Sequence, residues 1–457
     1  MIRVVRKSFP ALNGWLGELP DPRCPEMCLY LAAHIWWQVL AIYLFRTGSR
    51  NAFDEFRNSN AAPWNLGRLC GQPGEDPRFD GHPTVTCSDN AKQHASRVDP
   101  DQVKQIPLRM IKELLQRRMF EGSRLFGHWY TVIVDGTVQE KCRQGFGGDG
   151  KSSSGEGRYR YVLQALLLGP HGNVFPFLHE FVDVHNPVTE KEDCELKAFQ
   201  RLSRRLKELF PRLPICWVGD ALYACQSVLA ICQEYDWKYI LTLKEGRQPT
   251  TWEEMLKLLP RSRANVVRTE SGPADARTRM DCRWVEQVML GPLETNVILA
   301  GEITPESATL YGFITNFSNL TPDRVLTVAG TGRQRHRIED KFNTEKNHGI
   351  GLEHVFCAET IAAKNFYTMM QAAQILWTLV SQGYCKRVYE WAKNATDQGL
   401  ARAAWQGWQF CRWPPDLPPL GQIRFGFTQV EGAEDFQPDP VNLQHTRATR
   451  PGPYLLP

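Results

Sequence analysis

The sequence predicts a mixed α/β fold, and three observations predict it. Between residues 128 and 244, strand-like and helix-like runs follow the order β-β-β-α-β-α-β. A long apolar run at 27–45 and a basic amphipathic run at 103–120 place a helical region ahead of that alternation. Four further strand-like runs between 247 and 330 make a β-rich insertion. The expected organisation is an N-terminal helical region (1–122), a first core part (123–246), the insertion (247–330), a second core part (331–395) and a Pro-rich C-terminal tail (396–457).

Composition limits the functions open to the chain. Its 457 residues, 42% hydrophobic and 11% aromatic, suffice for a large packed core. A net charge of +4 is mild at this length, so any affinity for nucleic acid must reside in local patches. Thirteen cysteines are scattered without a CxxC pair, which supports neither a zinc site nor a disulfide framework and fits a reducing cytosol. The run 27–45 (MCLYLAAHIWWQVLAIYLF) has the length of a membrane span. His34, Gln38 and the Trp36–Trp37 pair would then sit at mid-bilayer depth, so a buried core helix is expected instead.

Each element has its own justification. Residues 46–96 are polar and rich in Gly, Asn and Pro, and read as loop. Residues 103–120 (VKQIPLRMIKELLQRRMF) carry apolar residues at helical spacing, with Lys104, Arg109, Lys112, Arg117 and Arg118 on the polar side. The run 129–138 (WYTVIVDGTV) is β-rich, and 159–168 and 173–184 give two more strands joined by a tight Gly169–Gly172 turn. Residues 145–157 are Gly/Ser-rich but lack a phosphate-loop order, and read as a connector. Residues 190–210 form a helix with acids early and bases late, matching the helix dipole. The runs 215–220 (ICWVGD) and 237–244 (WKYILTLK) are strands flanking a helix at 224–235. Residues 252–259 read as a short helix, 362–382 as a long apolar one, and 423–430 (IRFGFTQV) as a strand in the tail.

Three acids stand out. Asp135 and Asp220 each end a strand-like run, and Glu339 lies in the basic segment 333–346 (RQRHRIEDKFNTEK). At 3.6 residues per turn, Arg335, Glu339 and Lys346 share one helix face, while Ile338 and Phe342 anchor the neighbouring apolar stripe. Taken alone, that segment reads equally as a solvated helix laced with ion pairs. Three carboxylates in one pocket repel by up to roughly 4 kcal/mol per close pair at an effective dielectric near 20. Such a pocket needs cations, and hard oxygen ligands select Mg²⁺ or Mn²⁺. Two such ions can activate a water or a 3′-hydroxyl and stabilise the leaving oxygen of a phosphodiester. Arg335 and Lys346 would hold the phosphate, the Arg by a bidentate fork and the Lys as a point charge. Glu180, Asp183 and Glu195 are spare acids near the same sheet.

The order β-β-β-α-β-α-β is that of a ribonuclease-H-like core. The motifs VIVDGT, WVGDALYA and Arg335-x₃-Glu339-x₆-Lys346 resemble the three acidic motifs of DDE transposases of the insertion sequence 4 family, over roughly residues 125–380. The resemblance implies a β-rich insertion between the second Asp and the Glu, with Asp135, Asp220 and Glu339 catalytic and holding two Mg²⁺ ions, replaceable by Mn²⁺. It also implies DNA cleavage at transposon ends, strand transfer into target DNA, and a homodimeric synaptic complex on double-stranded DNA in the cytoplasm, at the nucleoid, with no membrane partner. An aromatic of the insertion holds a flipped base in some members, and Trp284 is the candidate here. One departure is Gly332, where the family signature has a Tyr. A domesticated, inactive DNA-binding relative and a two-metal nuclease without strand transfer are the alternatives.

Overall fold

A computed structural model describes residues 1–142, 146, 151–152, 158–182, 193–273 and 277–413. The connector at 145–157 thus falls largely outside the described residues. Asp183, the start of the 190–210 helix and the tail strand fall wholly outside them.

One sheet of ten strands runs through the molecule. Its strands are β1 (Tyr130–Cys142), β2 (Lys151–Ser152), β3 (Arg158–Leu168), β4 (Val174–Val182), β5 (Ile215–Gly219), β6 (Lys238–Leu243), β7 (Val266–Ser271), β8 (Thr278–Leu290), β9 (Leu293–Ile303) and β10 (Ala308–Thr315). β3 lies antiparallel between β1 and β4, while β5 joins the other side of β1 in parallel and β6 joins β5 in parallel. The five strands therefore lie in the order β4-β3-β1-β5-β6, with β3 alone reversed. Parallel neighbours need crossover connections, and the helices Glu195–Leu209 and Gln226–Glu234 supply them.

The strands of the 247–330 segment extend the same sheet. β10 pairs antiparallel with β6, and β9, β8 and β7 follow as an antiparallel run. Pairing with β6 gives the inner strand of that run a partner and leaves no open edge at the junction.

Two apolar clusters cover the sheet's two faces. One holds Val132, Val134 and Trp217 together with the N-terminal helices and the helix Thr360–Val380. The other holds Ile133, Val218, Ile240, Ile298 and Phe313, and takes Val325 and Val328 from the helix Pro322–Arg333 and Ile338 and Phe342 from the helix His336–Asn347. Alternate residues of β1 and β5 thus point to opposite faces, as the pleat requires.

The apolar run at 27–45 forms the helix Ala32–Leu44, buried along its whole length against Thr360–Val380. Among the described residues no helix is long and apolar enough to cross a membrane. The basic amphipathic run forms Gln105–Gln116.

Two expectations of irregular chain are corrected. Residues 46–96 contain the helices Arg50–Phe56, Ala62–Cys70 and Ser88–Ala95. Ser49 caps the first, accepting from the Ala52 amide, and Phe53 and Leu66 reach the core. The region read as tail begins with the helix Asp397–Phe410, capped by Thr396 and docked by the buried Trp408.

Asn365, fully buried in Thr360–Val380, ties that helix to the N-terminal region by donating to the carbonyls of Ala95 and Val98 at 2.8 and 2.7 Å. Replacing it leaves the Val98 carbonyl without this donor and the Ala95 carbonyl with only the longer bond from the Val98 amide, at 3.4 Å. Asn365→Leu is expected to lower unfolding free energy by about 2 kcal/mol or more in denaturant titrations. A loss within about 0.5 kcal/mol would show that this link is dispensable.

Candidate active site

β1 and β5 pair in parallel with a constant sequence offset: Tyr130 faces Ile215 and Ile133 faces Val218, and 215 − 130 = 85. Asp135 and Asp220 share that offset, since 220 − 135 = 85. They lie two residues beyond the last paired position, on the face of Ile133 and Val218. The helix His336–Asn347 packs Ile338 and Phe342 on this same face. Neighbouring parallel strands therefore set the two aspartates side by side, and the helix carries Glu339 over them.

Hydrogen bonds orient the aspartates. The Gly136 amide donates to Asp135 Oδ1 at 2.9 Å, and the Leu222 amide donates to Asp220 Oδ1 at 2.8 Å. Arg335 joins two of the acids: its Nη1 lies 3.4 Å from Asp135 Oδ2 and its Nη2 lies 2.5 Å from Glu339 Oε1. Asp135 is largely shielded, whereas the Glu339 side chain is 54% exposed. Burial is the main cause that pushes the Asp135 carboxyl up to about 7, with the charges of Glu195 and Asp220 adding to it. The Gly136 amide and Arg335 act the other way. The ion pair with Arg335 does not prevail because it is long and partly solvated.

Glu195, set aside as a spare acid, is part of this site. It opens the helix Glu195–Leu209 and accepts hydrogen bonds from the hydroxyls of Tyr161, at 2.9 Å, and Tyr223. Both phenols are raised above their ordinary range, first by burial and then by the Glu195 charge. Gly136 makes this approach possible: a Cβ there would lie 2.7 Å from Glu195 Oε2 and would strike the Tyr161 hydroxyl. The sequence signal was the Asp135-Gly136 pair, a glycine beside an acid at the point where another acid must come close.

The remaining site candidates lie elsewhere. Lys346 pairs with Glu353 at 3.1 Å, and Glu353 also pairs with Lys141 at 2.7 Å. The helical segment expected across 333–346 breaks at 334–335, so Arg335 sits at the N-cap of His336–Asn347. Trp284 is corrected as a stacking platform: it is 4% exposed in β8, packed with Ile298 and Phe313, and offers no face to a base. Gly332 has a steric cause, since a Cβ there would lie 2.6 Å from Phe313 and 3.0 Å from Ile240. No tyrosine fits at that position.

The donor set has the chemistry of a divalent-cation site: carboxylate oxygens only, with one guanidinium among them. Among the described residues, however, no three His, Cys, Asp or Glu side chains are grouped closely enough to hold one ion.

No protein-family model matches the chain, and no curated protein matches it. Among solved structures it is similar to a cryo-EM structure of the piggyBac transposase synaptic complex with hairpin DNA, with a TM-score of 0.37 and 9% sequence identity, covering 89% of this chain and 79% of that one. A likeness of that size says nothing of activity.

Asp135 gives a pH test with a definite sign. In the unfolded chain it titrates near 3.8, and in the folded protein near 7, so the folded state holds the proton more tightly. Its contribution to stability therefore falls as pH rises from about 4 to about 7 and is level above. Asp135→Asn removes that loss. Relative to wild type, its Tm is expected to be higher at pH 8 than at pH 4, by no more than about 4 kcal/mol of stability. Thermal melts at the two pH values decide this; an equal shift at both would mean that Asp135 is not held protonated by its surroundings.

Proposed function

We propose that this chain is a DDE-type transposase, similar to the insertion sequence 4 family, that cuts DNA at transposon ends and joins the 3′-hydroxyl to target DNA. The observation that carries the reading is the shared 85-residue offset, which sets Asp135 and Asp220 side by side just past the paired stretch of two parallel strands, on the sheet face that the helix bearing Glu339 covers. The strand order β4-β3-β1-β5-β6, with β3 alone reversed, supports a ribonuclease-H-like core. The four strands β7–β10 stand in sequence between Asp220 and Glu339, where that family carries its insertion.

Asp135, Asp220 and Glu339 are the residues that would hold two Mg²⁺ or Mn²⁺ ions, which when bound activate the attacking oxygen and stabilise the leaving one. The protein's own groups have separate tasks. The sheet orients the two aspartates through amide hydrogen bonds. Arg335, with its planar fork, is placed to exchange its carboxylate partners for a DNA phosphate. Lys346 and Lys141, gathered on Glu353, offer further positive charge beside the same helix. The partners of this reading are two DNA ends and a second copy of the chain.

The absence of a tight three-acid group among the described residues favours a second reading, a DNA-binding relative without catalysis. Incubation with Mg²⁺ or Mn²⁺ and duplex DNA carrying the ends that flank the gene separates the two. The expected outcome is metal-dependent cleavage and joining, reduced more than about 100-fold in Asp220→Asn, beyond the loss typical of an outer-shell residue. DNA binding without cleavage in either metal would favour the second reading, and cleavage without joining would make the protein a nuclease.

A further inference from the structure

We infer that Glu195, clamped by Tyr161 and Tyr223, is a positioning residue that fixes the spacing of Asp135 and Asp220. The inference rests on the metal-dependent reading above and deepens it.

Three elements meet at the Glu195 carboxylate. Tyr161 belongs to β3, where it pairs with Val138 of β1, three residues beyond Asp135. Tyr223 belongs to the turn that Asp220 opens: its amide donates to the Asp220 carbonyl at 3.2 Å, and its ring packs on Gly219, Phe199 and the sheet. Glu195 itself starts the crossover helix that joins β4 to β5. One oxygen takes the Tyr161 hydroxyl and the other takes the Tyr223 hydroxyl, so the carboxylate bridges β3, the strand paired with the one bearing Asp135, to the turn bearing Asp220.

The brace is needed because the β1–β5 ladder stops at Ile133 and Val218, two residues short of the acids. Beyond that point no backbone pairing holds the two chains against the mutual repulsion of their carboxylates. The clamp replaces the missing rungs from the opposite side of β1, through the gap that Gly136 leaves. Tyr223 is fully buried, so its hydroxyl has no water to turn to and must keep this partner. Glu195 therefore acts through Asp135 and Asp220 and not as a group touching the DNA.

Mn²⁺ binding by the full-length protein without DNA, followed by electron paramagnetic resonance, tests this apart from activity. Four proteins are compared with wild type: Asp220→Asn, Glu195→Gln, Tyr161→Phe and the double Tyr161→Phe/Tyr223→Phe. Wild type is expected to bind Mn²⁺ and Asp220→Asn to lose it. The double Tyr variant keeps every carboxylate, and its Mn²⁺ affinity is expected to fall about 10-fold or more, with Tyr161→Phe between it and wild type. Thermal melts of the same proteins show that each is folded. Wild-type affinity in the double variant, with loss only in Glu195→Gln, would overturn the inference, because Glu195 would then act by its charge alone. If wild type and Asp220→Asn bind Mn²⁺ equally, the metal site itself is misassigned and the inference falls with it.

Discussion

The parallel pairing of β1 with β5 is the constraint on which the site depends. A parallel ladder fixes which residues lie abreast, and here its offset makes Asp135 and Asp220 neighbours although 84 residues lie between them. Residues abreast at the same pleat position keep their side chains on one face of the sheet. Burial then raises the cost, because Asp135 is shielded by the cover of the sheet and keeps its proton into the neutral range. The fold thus makes ionisation of this pair costly, because little water reaches Asp135.

Everything around that pair answers to the same condition. Arg335 supplies the nearest positive charge and divides it between Asp135 and Glu339. The amides of Gly136 and Leu222 supply partial positive charge at fixed angles. Glu195 adds negative charge but spends its lone pairs on two phenols, which keeps it from swinging toward Asp135. Both oxygens of Asp135 thereby have a partner, Oδ1 in the Gly136 amide and Oδ2 in Arg335, and Asp220 Oδ1 has the Leu222 amide.

Much of this was legible in the sequence because it depends on local pattern. The order of strands and helices from 128 to 244 follows from period and turn chemistry, and so does Asp220 at the end of β5, whereas Asp135, expected at a strand end, lies in the middle of β1. What was not legible depends on contacts between distant segments. Nothing in the runs of 265–317 says that they extend the core sheet, because β10 meets β6 only through pairs 69 to 75 residues apart in sequence, from Gly312 with Leu243 to Thr315 with Ile240. Trp284 looked like an available aromatic because its burial is decided by Ile298 and Phe313, on other strands. Glu195 looked spare because its neighbours Tyr161 and Tyr223 lie 34 and 28 residues away. The helices within 46–96 were hidden by polar composition, since a few residues such as Phe53 and Leu66 suffice to dock short helices on an existing core.

The third acid is held on different terms from the first two. Its helix, His336–Asn347, is fixed underneath by Ile338 and Phe342 and by Lys341, which is buried against Glu345 and donates to Gln371 of Thr360–Val380 at 2.9 Å. The two charges lie on one helix, so it is Gln371, accepting from Lys341 and donating to Glu345 at 3.2 Å, that sets the helix's rotation, because turning it would take both buried charges away from that partner. Above that anchored face, Glu339 is more than half exposed and Arg335 stands at the break between two helices. Side-chain rotation alone can therefore carry Glu339 toward or away from Asp135 while the backbone stays in place. Two acids are thus set by neighbouring strands and the third by the exposed face of an anchored helix, so the pair is fixed by backbone pairing while Glu339 is positioned by its own side-chain rotamer and by Arg335.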